Sequence, residues 1–135
     1  MMSRFDAALN ALKAETGWEP LPPEGNAENT RGAARFALDG LTFSMTVPDN
    51  RHLYFSYCLV TLATDEDPQV RAWNYARMAA ASFKTRRTVL SFAGGAFYLS
   101  QEVDLTTDDV EQTPFFCQNF LNDCDWWREN SSSGR

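Results

Sequence analysis

The sequence predicts an α+β fold in which an antiparallel sheet is flanked by helices. Helical and strand-like periodicities occupy separate blocks, glycine-containing turn signals join the strand blocks, and 44% of the 135 residues are hydrophobic against 22% charged. In chain order these blocks form a helix, a three-strand meander, a helix, two strands and a helix. We expect one core, hence a single domain over 1–130 and a disordered, serine-rich tail at 131–135.

The N-terminal segment has helical periodicity. Apolar residues recur at three- and four-residue spacing over 3–16, Ser3 suits the N-cap, and Gly17 suits the C-terminal stop. The polar, proline-containing stretch that follows has no periodicity, which predicts a long surface loop up to Gly32.

Alternation of apolar and polar residues predicts the meander. Residues 34–38 and 41–47 alternate on either side of Asp39-Gly40, a dipeptide that favours a two-residue hairpin turn. Residues 52–63 are apolar on both faces, which predicts a central strand that is covered on each side.

Acidic residues and a proline mark the start of the second helix. The segment from Asp65 to Pro68 fits that start, because acids favour the positive end of a helix and proline is tolerated in its first turn. This helix is expected to run to about Phe83. Two strands, over 87–92 and 97–105, should follow and be joined by a pair of glycines.

The last helix is expected to begin at Thr106 or Thr107 as its N-cap, with acidic residues in its first turn. Pro114 fits two interpretations, because it lies either near the first turn of a helix that starts at Thr113 or at a kink in a longer helix.

Aromatic residues are abundant, with ten Phe, four Tyr and four Trp. Trp126 and Trp127 are adjacent, and neighbouring positions on a helix point about 100° apart, so both cannot occupy the core equally. Trp126 either packs under a loop or the first helix, or lines a partner surface, where tryptophan is enriched.

The net charge of −6 is unevenly spread. The stretch from Arg71 to Arg87 contains five basic and no acidic residues, so the remaining residues carry −11. The overall acidity disfavours nucleic acid and anionic membrane as main partners. The basic stretch fits either a docking patch or a solvated helix face with an adjoining strand edge.

The sequence favours a cytoplasmic location. No apolar run approaches the roughly 20 residues of a membrane span, and the first residues lack the apolar stretch of a secretory signal. The odd number of cysteines, three, is typical of reduced thiols. Cys117 and Cys124 would lie about 10 Å apart along one helix, too far for a disulfide.

Residues that carry chemistry are few. His52 is the sole histidine and no G-x-S-x-G pattern is present, so a catalytic relay is not expected. A zinc site of His52, Cys58 and the two later cysteines would lack the short C-x₂₋₄-C spacing, which favours buried core thiols instead. Gly94-Gly95 lies where a hairpin must turn and is not a phosphate loop. We predict no enzymatic activity, no metal and no cofactor.

The chain resembles a known family, most clearly in its second half. Residues 88–105 resemble the paired strands, and 110–128 the last helix, of the class I type III secretion chaperones, the Tir-chaperone group. The hairpin at 39–41 fits the first hairpin of that family, so the likeness covers nearly the whole chain. The proline-rich stretch at 20–25 and Pro114 depart from the family pattern.

The resemblance implies a homodimer with a role in virulence. It would bind an extended segment near the N-terminus of a secreted effector and keep it soluble and secretion-competent, without nucleotide hydrolysis. Such a segment can add main-chain hydrogen bonds at a sheet edge and seat alternate side chains in apolar pockets. The candidate partner-binding residues are Phe5, Leu9, Leu12, Phe36, Leu38, Phe43 and Met45. Their alternative role is to close the core between the first helix and the sheet, and some of them must do so. The candidate dimer interface comprises Trp73, Tyr75, Arg77, Met78, Val89 and Leu90.

Two other functions fit the same pattern. The YbjN-like group of regulators has a similar α+β layout, which would make the chain a stand-alone interaction or sensory domain. A small-ligand-binding domain would instead use an apolar cavity beneath the sheet, lined by a few convergent polar groups.

Overall fold

The computed structural model describes residues 3–22, 32–38, 40–82, 88–106 and 110–133. The elements in chain order are α1 (Arg4–Thr16), β1 (Ala33–Leu38), β2 (Leu41–Thr46), β3 (His52–Thr61), α2 (Pro68–Ser82), β4 (Val89–Ala93), β5 (Ala96–Asp104), a 3₁₀ turn (Val110–Gln112) and α3 (Thr113–Ser133). This order confirms the α+β fold predicted from the sequence. None of the helices in the described part of the chain is long and apolar enough to cross a membrane.

The five strands form one antiparallel sheet in the order β1-β2-β3-β5-β4. The strand β3 is therefore central, and β1 and β4 are the two edges. The turn between β4 and β5 is built on Gly94 and Gly95, whose φ angles of 57° and 77° are the left-handed values that a two-residue hairpin turn requires.

The hydrophobic core lies on one face of the sheet, beneath α1 and α3. Phe120 of α3 is fully buried and its ring stacks on Phe55 of β3, with the centroids 5.5 Å apart, and meets Phe43 of β2 at 6.4 Å. Leu12 of α1 belongs to the same buried cluster. Burial of an aromatic side chain of this size contributes about 1.5–3 kcal/mol, so these contacts fix α3 on the sheet.

The opposite face of the sheet is lined by small and polar residues. Tyr54, Ser56 and Cys58 alternate with the buried residues of β3, and the Cys58 side chain is exposed. Two predictions are therefore wrong at this position, namely that β3 is covered on both faces and that Cys58 is a core thiol. The physical reason is that an antiparallel sheet can pack one face on the core and leave the other face in water. The residues of β3 that alternate with the buried ones therefore need no cover.

The start of the last helix differs from the prediction. A 3₁₀ turn precedes α3, which begins at Thr113, a fully buried residue whose hydroxyl donates to the Val110 carbonyl at 2.6 Å. Pro114 lies in the first turn of α3. The N–H groups of a first turn have no acceptor within the helix, so the missing N–H of proline costs no helical hydrogen bond there. The hydroxyl and N–H of Thr106 both donate to Asp104, and Thr107 lies outside the described residues.

The far end of α3 also extends past the predicted boundary. The helix ends at Ser133, so 131–133, expected in the tail, are helical, while 134–135 lie outside the described residues. The predicted hairpin residue Asp39, the end of the second helix at Phe83 and the strand start at Arg87 also lie outside them.

Candidate partner-binding surfaces

The first helix is held by the turn between β2 and β3. The side chain of Ser3 caps α1 by accepting from the Asp6 N–H, and Gly17 ends the helix at a φ of 74°. The Arg4 N–H donates to Asn50 Oδ1 at 2.8 Å, and the Arg4 guanidinium donates to the Asn50 carbonyl at 2.7 Å. The position of α1 on the sheet therefore depends on this turn.

The seven predicted partner-binding residues separate into two groups by burial. Phe5 and Leu9 of α1 and Leu38 at the end of β1 are half-buried and pack on the margin of the core. The other four are almost completely buried: Leu12, Phe36, Phe43 and Met45. A side chain of the second group can reach a partner only if something that covers it moves.

The outer edge of β1 is occupied by the segment that follows α1. The Leu21 N–H donates to the Arg35 carbonyl at 2.7 Å, and the Arg35 guanidinium donates to the Pro22 carbonyl at 3.2 Å. The Trp18 ring lies against Phe36, with the centroids 6.4 Å apart. The sequence predicts only a surface loop for 18–22, because the prolines there give no sign of this pairing.

The second predicted surface lies on α2 and β4. Trp73 is 67% exposed and Val89 is 61% exposed, and Arg77 is also on the surface. Val70, three residues before Trp73 and therefore on the same face of α2, is exposed as well, and so is about half of Phe92 on β4. On β4 Val89 opposes Ser100 and Phe92 opposes Phe97, so these two side chains point to opposite faces of the edge strand. We call the exposed residues Val70, Trp73, Arg77, Val89 and Phe92 together the α2–β4 surface.

Three other predicted interface residues support this surface from beneath. Tyr75 is buried, with its ring edge-on to Phe97 at 5.1 Å and to Trp127 at 5.7 Å. Phe97 in turn contacts Phe92 at 4.7 Å, so a chain of aromatic rings connects α2 to β4. Met78 and Leu90 are half-buried against the core.

Polar contacts fix the start of α2. The Arg71 guanidinium pairs with Glu66 and also donates to the Tyr75 hydroxyl at 3.1 Å. The hydrogen bond to the Tyr75 hydroxyl raises the pKa of Arg71 above its already high ordinary value. Arg71 is therefore always charged, and its charge holds the start of α2 in place. Two of the five basic residues between Arg71 and Arg87 lie in the described part of the chain. Of these two, Arg77 is the exposed one.

The two adjacent tryptophans play different parts in α3. Trp127 is buried in the core, and Trp126 is half-buried with its ring edge-on to Trp127 at 5.6 Å. Trp126 therefore packs on the core margin, where part of its surface remains accessible.

The sole histidine forms a structural clamp. His52 Nδ1 lies 2.6 Å from Asp49 Oδ2, and its Nε2 lies 3.6 Å from Glu102 Oε1. The hydrogen bond from the His52 ring, followed by that from its main-chain N–H, holds the pKa of Asp49 well below its usual range. A catalytic histidine needs one ring nitrogen facing a nucleophile, whereas here carboxylates face both.

The cysteines also have unlike surroundings. Burial raises the pKa of the Cys117 thiol to about 12 and raises that of the Cys124 thiol further, so both are neutral. In the described part of the chain, no group of three or more histidine, cysteine or acidic residues is placed to hold a metal ion.

The fold was compared with solved structures. A chain of the HopA1–SchA chaperone–effector complex matches with a TM-score of 0.63 at 14% identity, over 93% of this chain and 94% of that chain. A chain of the ExsC–ExsE complex matches with a TM-score of 0.63 at 16% identity, over 95% and 96%. YbjN from E. coli, a proposed transcription regulator, matches with a TM-score of 0.64 at 14% identity, over 93% and 90%.

These likenesses concern the fold, because the identities are low. The resemblance to secretion chaperones predicted from the sequence is confirmed at that level. No family model and no curated protein matches the chain.

Proposed function

We propose that this chain is a chaperone of the type III secretion kind, which binds an extended N-terminal segment of a secreted effector and keeps it soluble and secretion-competent. The observation that carries the proposal is the full-length fold likeness to chains from a chaperone–effector complex and from the ExsC–ExsE complex. No nucleotide hydrolysis is part of the proposed activity, and the proposed location is the cytoplasm.

Partner binding would use the side of the molecule formed by α1 and β1. Phe5, Leu9 and Leu38 are the predicted contact residues that already offer apolar area at the surface. An extended segment can place alternate side chains against them while its main chain pairs with a strand edge. Leu12, Phe43 and Met45 would support this contact from within the core.

Homodimer formation would use the α2–β4 surface. Trp73 on α2 and Val89 on the edge strand β4 are apolar residues that are 67% and 61% exposed, and an edge strand can also pair its main chain with a second copy. Tryptophan in particular is enriched in interfaces, where its ring supplies a large contact area. Tyr75, Met78 and Leu90 would hold this surface in shape from beneath, and Arg77 would lie at its rim.

The chain is proposed to act without catalysis. Histidine and cysteine are the side chains that most often carry chemistry at neutral pH. Here His52 contacts two carboxylates and the buried cysteines are neutral, so these groups have structural roles. Binding of a partner is then the activity that the remaining features can support.

A second candidate function is that of an interaction or regulatory domain. It is favoured by the likeness to YbjN, whose TM-score of 0.64 equals those of the chaperone chains within 0.01. The two candidates differ in their partner, because a regulator of this kind would not need to retain unfolded effector segments.

The test is co-expression of the chain with N-terminal segments of candidate effectors, followed by purification through a tag on the chain. We expect one such segment to co-purify with the wild-type chain and to be lost from a Phe5→Ser, Leu9→Ser double variant. Phe115→Ser is the matched control, because Phe115 is 63% exposed on α3 and lies outside both proposed surfaces. Failure of the wild-type chain to retain any segment would favour the regulatory alternative.

A further inference from the structure

The edge strand β1 is paired on its outer side by the chain itself. We call 18–22, which leave α1 after Gly17, the strap. The strap contributes the Leu21 N–H to the Arg35 carbonyl and the Pro22 carbonyl to the Arg35 guanidinium. The first of these is the main-chain contact that an added strand would make with a sheet edge, and the second holds the strap in place through a side chain.

The register of the sheet identifies which groups of β1 face outward. Leu38 opposes Leu41 across a two-residue turn, and Phe36 opposes Phe43. The pair that closes a two-residue turn is hydrogen-bonded, and such pairs alternate along an antiparallel ladder, so Phe36–Phe43 is hydrogen-bonded as well. Arg35, the neighbour of Phe36 that opposes Ser44, therefore points its main chain away from β2. The Leu21 N–H donates to this outward-facing carbonyl of Arg35. The strap therefore lies along the outer edge of β1, where an added strand would pair.

The strap also covers an apolar side chain of the edge strand. Phe36 is only 1% exposed, although β1 is at the edge of the sheet, and the Trp18 ring is one of its neighbours. The other neighbouring ring, that of Phe43, stacks on Phe36 at 5.5 Å from the core side. Removal of Trp18 would therefore open a path from solvent to Phe36.

We propose that the strap is an internal stand-in for a partner segment, and that an extended polypeptide binds β1 by displacing it. The displacing segment would supply an aromatic or large aliphatic side chain over Phe36 in place of Trp18, and a main-chain N–H to Arg35 in place of Leu21. This inference rests on the proposed function in one respect, the extended nature of the partner.

The composition of the strap makes it a weak competitor. Pro20 and Pro22 flank Leu21, the residue whose N–H donates to β1, so the strap is a short and conformationally restricted pairing segment. A partner segment that runs along the full length of β1 can add further ladder bonds. Phe36 can therefore be buried in the free protein and still contact a partner, because the partner replaces the strap that covers it.

The first experiment uses a synthetic peptide with the strap sequence, acetyl-Gly-Trp-Glu-Pro-Leu-Pro-amide, and ¹⁵N-labelled protein. In the wild-type protein the tethered strap has an effective concentration on the order of mM, so the free peptide should bind poorly. In Trp18→Ala the peptide should shift the amide signals of Arg35, Phe36 and Ala37, with a Kd at least about tenfold lower than in wild type.

Two controls make the result specific. Phe115→Ala removes an exposed aromatic residue of α3, outside the strap, and should behave as wild type. The peptide with alanine in place of tryptophan should bind Trp18→Ala much more weakly. If Trp18→Ala does not fold, Leu21→Pro retains the tryptophan, removes the main-chain donor and gives the same test. A folded variant whose β1 signals ignore the peptide would overturn the proposal.

The second experiment separates this proposal from the proposed function. An effector segment that co-purifies with the chain should bind Trp18→Ala more tightly than wild type, by about tenfold. Equal affinity for both, together with a silent strap peptide, would overturn the strap proposal and leave the chaperone function intact. Binding of the strap peptide without retention of any effector segment would uphold the strap and contradict the chaperone function.

Discussion

The two edges of the sheet are treated in opposite ways. On β1 the strap pairs with the strand, and Phe36 is 1% exposed, whereas on β4 Val89 is 61% exposed and Phe92 is 48% exposed. Unprotected edge strands invite pairing with other chains, and proteins usually cover them or make them polar. The difference shows that the chain closes its own β1 edge and leaves the β4 edge open, which supports the proposal that β4 meets a second copy.

The largest expected effect concerns stability at the two edges. Phe36→Ala should lower the free energy of unfolding by about 3–5 kcal/mol, because it leaves a cavity between Phe43 and Trp18. Phe92→Ala should cost about 1 kcal/mol or less, because half of that side chain is already in solvent. Urea unfolding of both variants measures the difference, and similar losses would contradict the assigned difference in cover.

The next effect concerns assembly through the α2–β4 surface. Trp73→Glu should convert the proposed dimer into a monomer, because it places a charge in the centre of an apolar contact, and interface tryptophans often contribute 2 kcal/mol or more. Phe115→Glu introduces the same charge at a similarly exposed aromatic residue on α3 and should leave the mass unchanged. Sedimentation at several concentrations distinguishes the two variants. A wild-type monomer, or dissociation by both variants, would refute the α2–β4 surface.

A finer test concerns the two faces of the sheet between these edges. Of the three cysteines, Cys58 should react rapidly with a thiol reagent in the native protein, since it is exposed. Cys117 and Cys124 should react only after unfolding, because burial raises their pKa values and excludes the reagent. Counting the modified thiols by mass spectrometry before and after denaturation checks this prediction, and two or more fast thiols would contradict the assigned faces.

The smallest expected effect concerns pH and the turn that holds α1. Hydrogen bonds from His52 hold the pKa of Asp49 well below its usual range, and those from Thr106 lower that of Asp104. In acid the unfolded chain binds these protons first, so the stabilisation is complete above about pH 5 and is lost as the pH falls toward the folded pKa values. Asp49→Asn should therefore show a shallower loss of stability between about pH 5 and 2 in acid titrations of the melting temperature. An unchanged slope would show that the clamp is not coupled to folding.

The element order could be predicted from the sequence because each signal is local. The cap at Ser3, the stop at Gly17 and the glycine pair in the second hairpin all act within a few residues, and the structure places them as expected. The start of α3 was ambiguous for the same reason, because Pro114 is compatible with both interpretations until the burial of Thr113 decides between them.

The candidate sites could be predicted only in part, because periodicity identifies an apolar face but not what covers it. Phe36 and Leu38 are two residues apart on β1 and share one face of the strand, so their pattern in the sequence is the same. Trp18, which is distant in sequence, covers Phe36. Two apolar residues of α2 likewise differ through contacts outside the helix, since Phe97 and Trp127 bury Tyr75, whereas Trp73 stays in solvent. Such contacts between distant residues leave no mark in a single sequence.

The most direct test of the account is the molar mass of the chain in complex with an effector segment, measured by light scattering after size-exclusion chromatography. The account predicts a particle that contains two copies of the 15.3 kDa chain and one segment, and a dimer of the chain when the segment is absent. A particle with the mass of one chain that retains no candidate segment would contradict it.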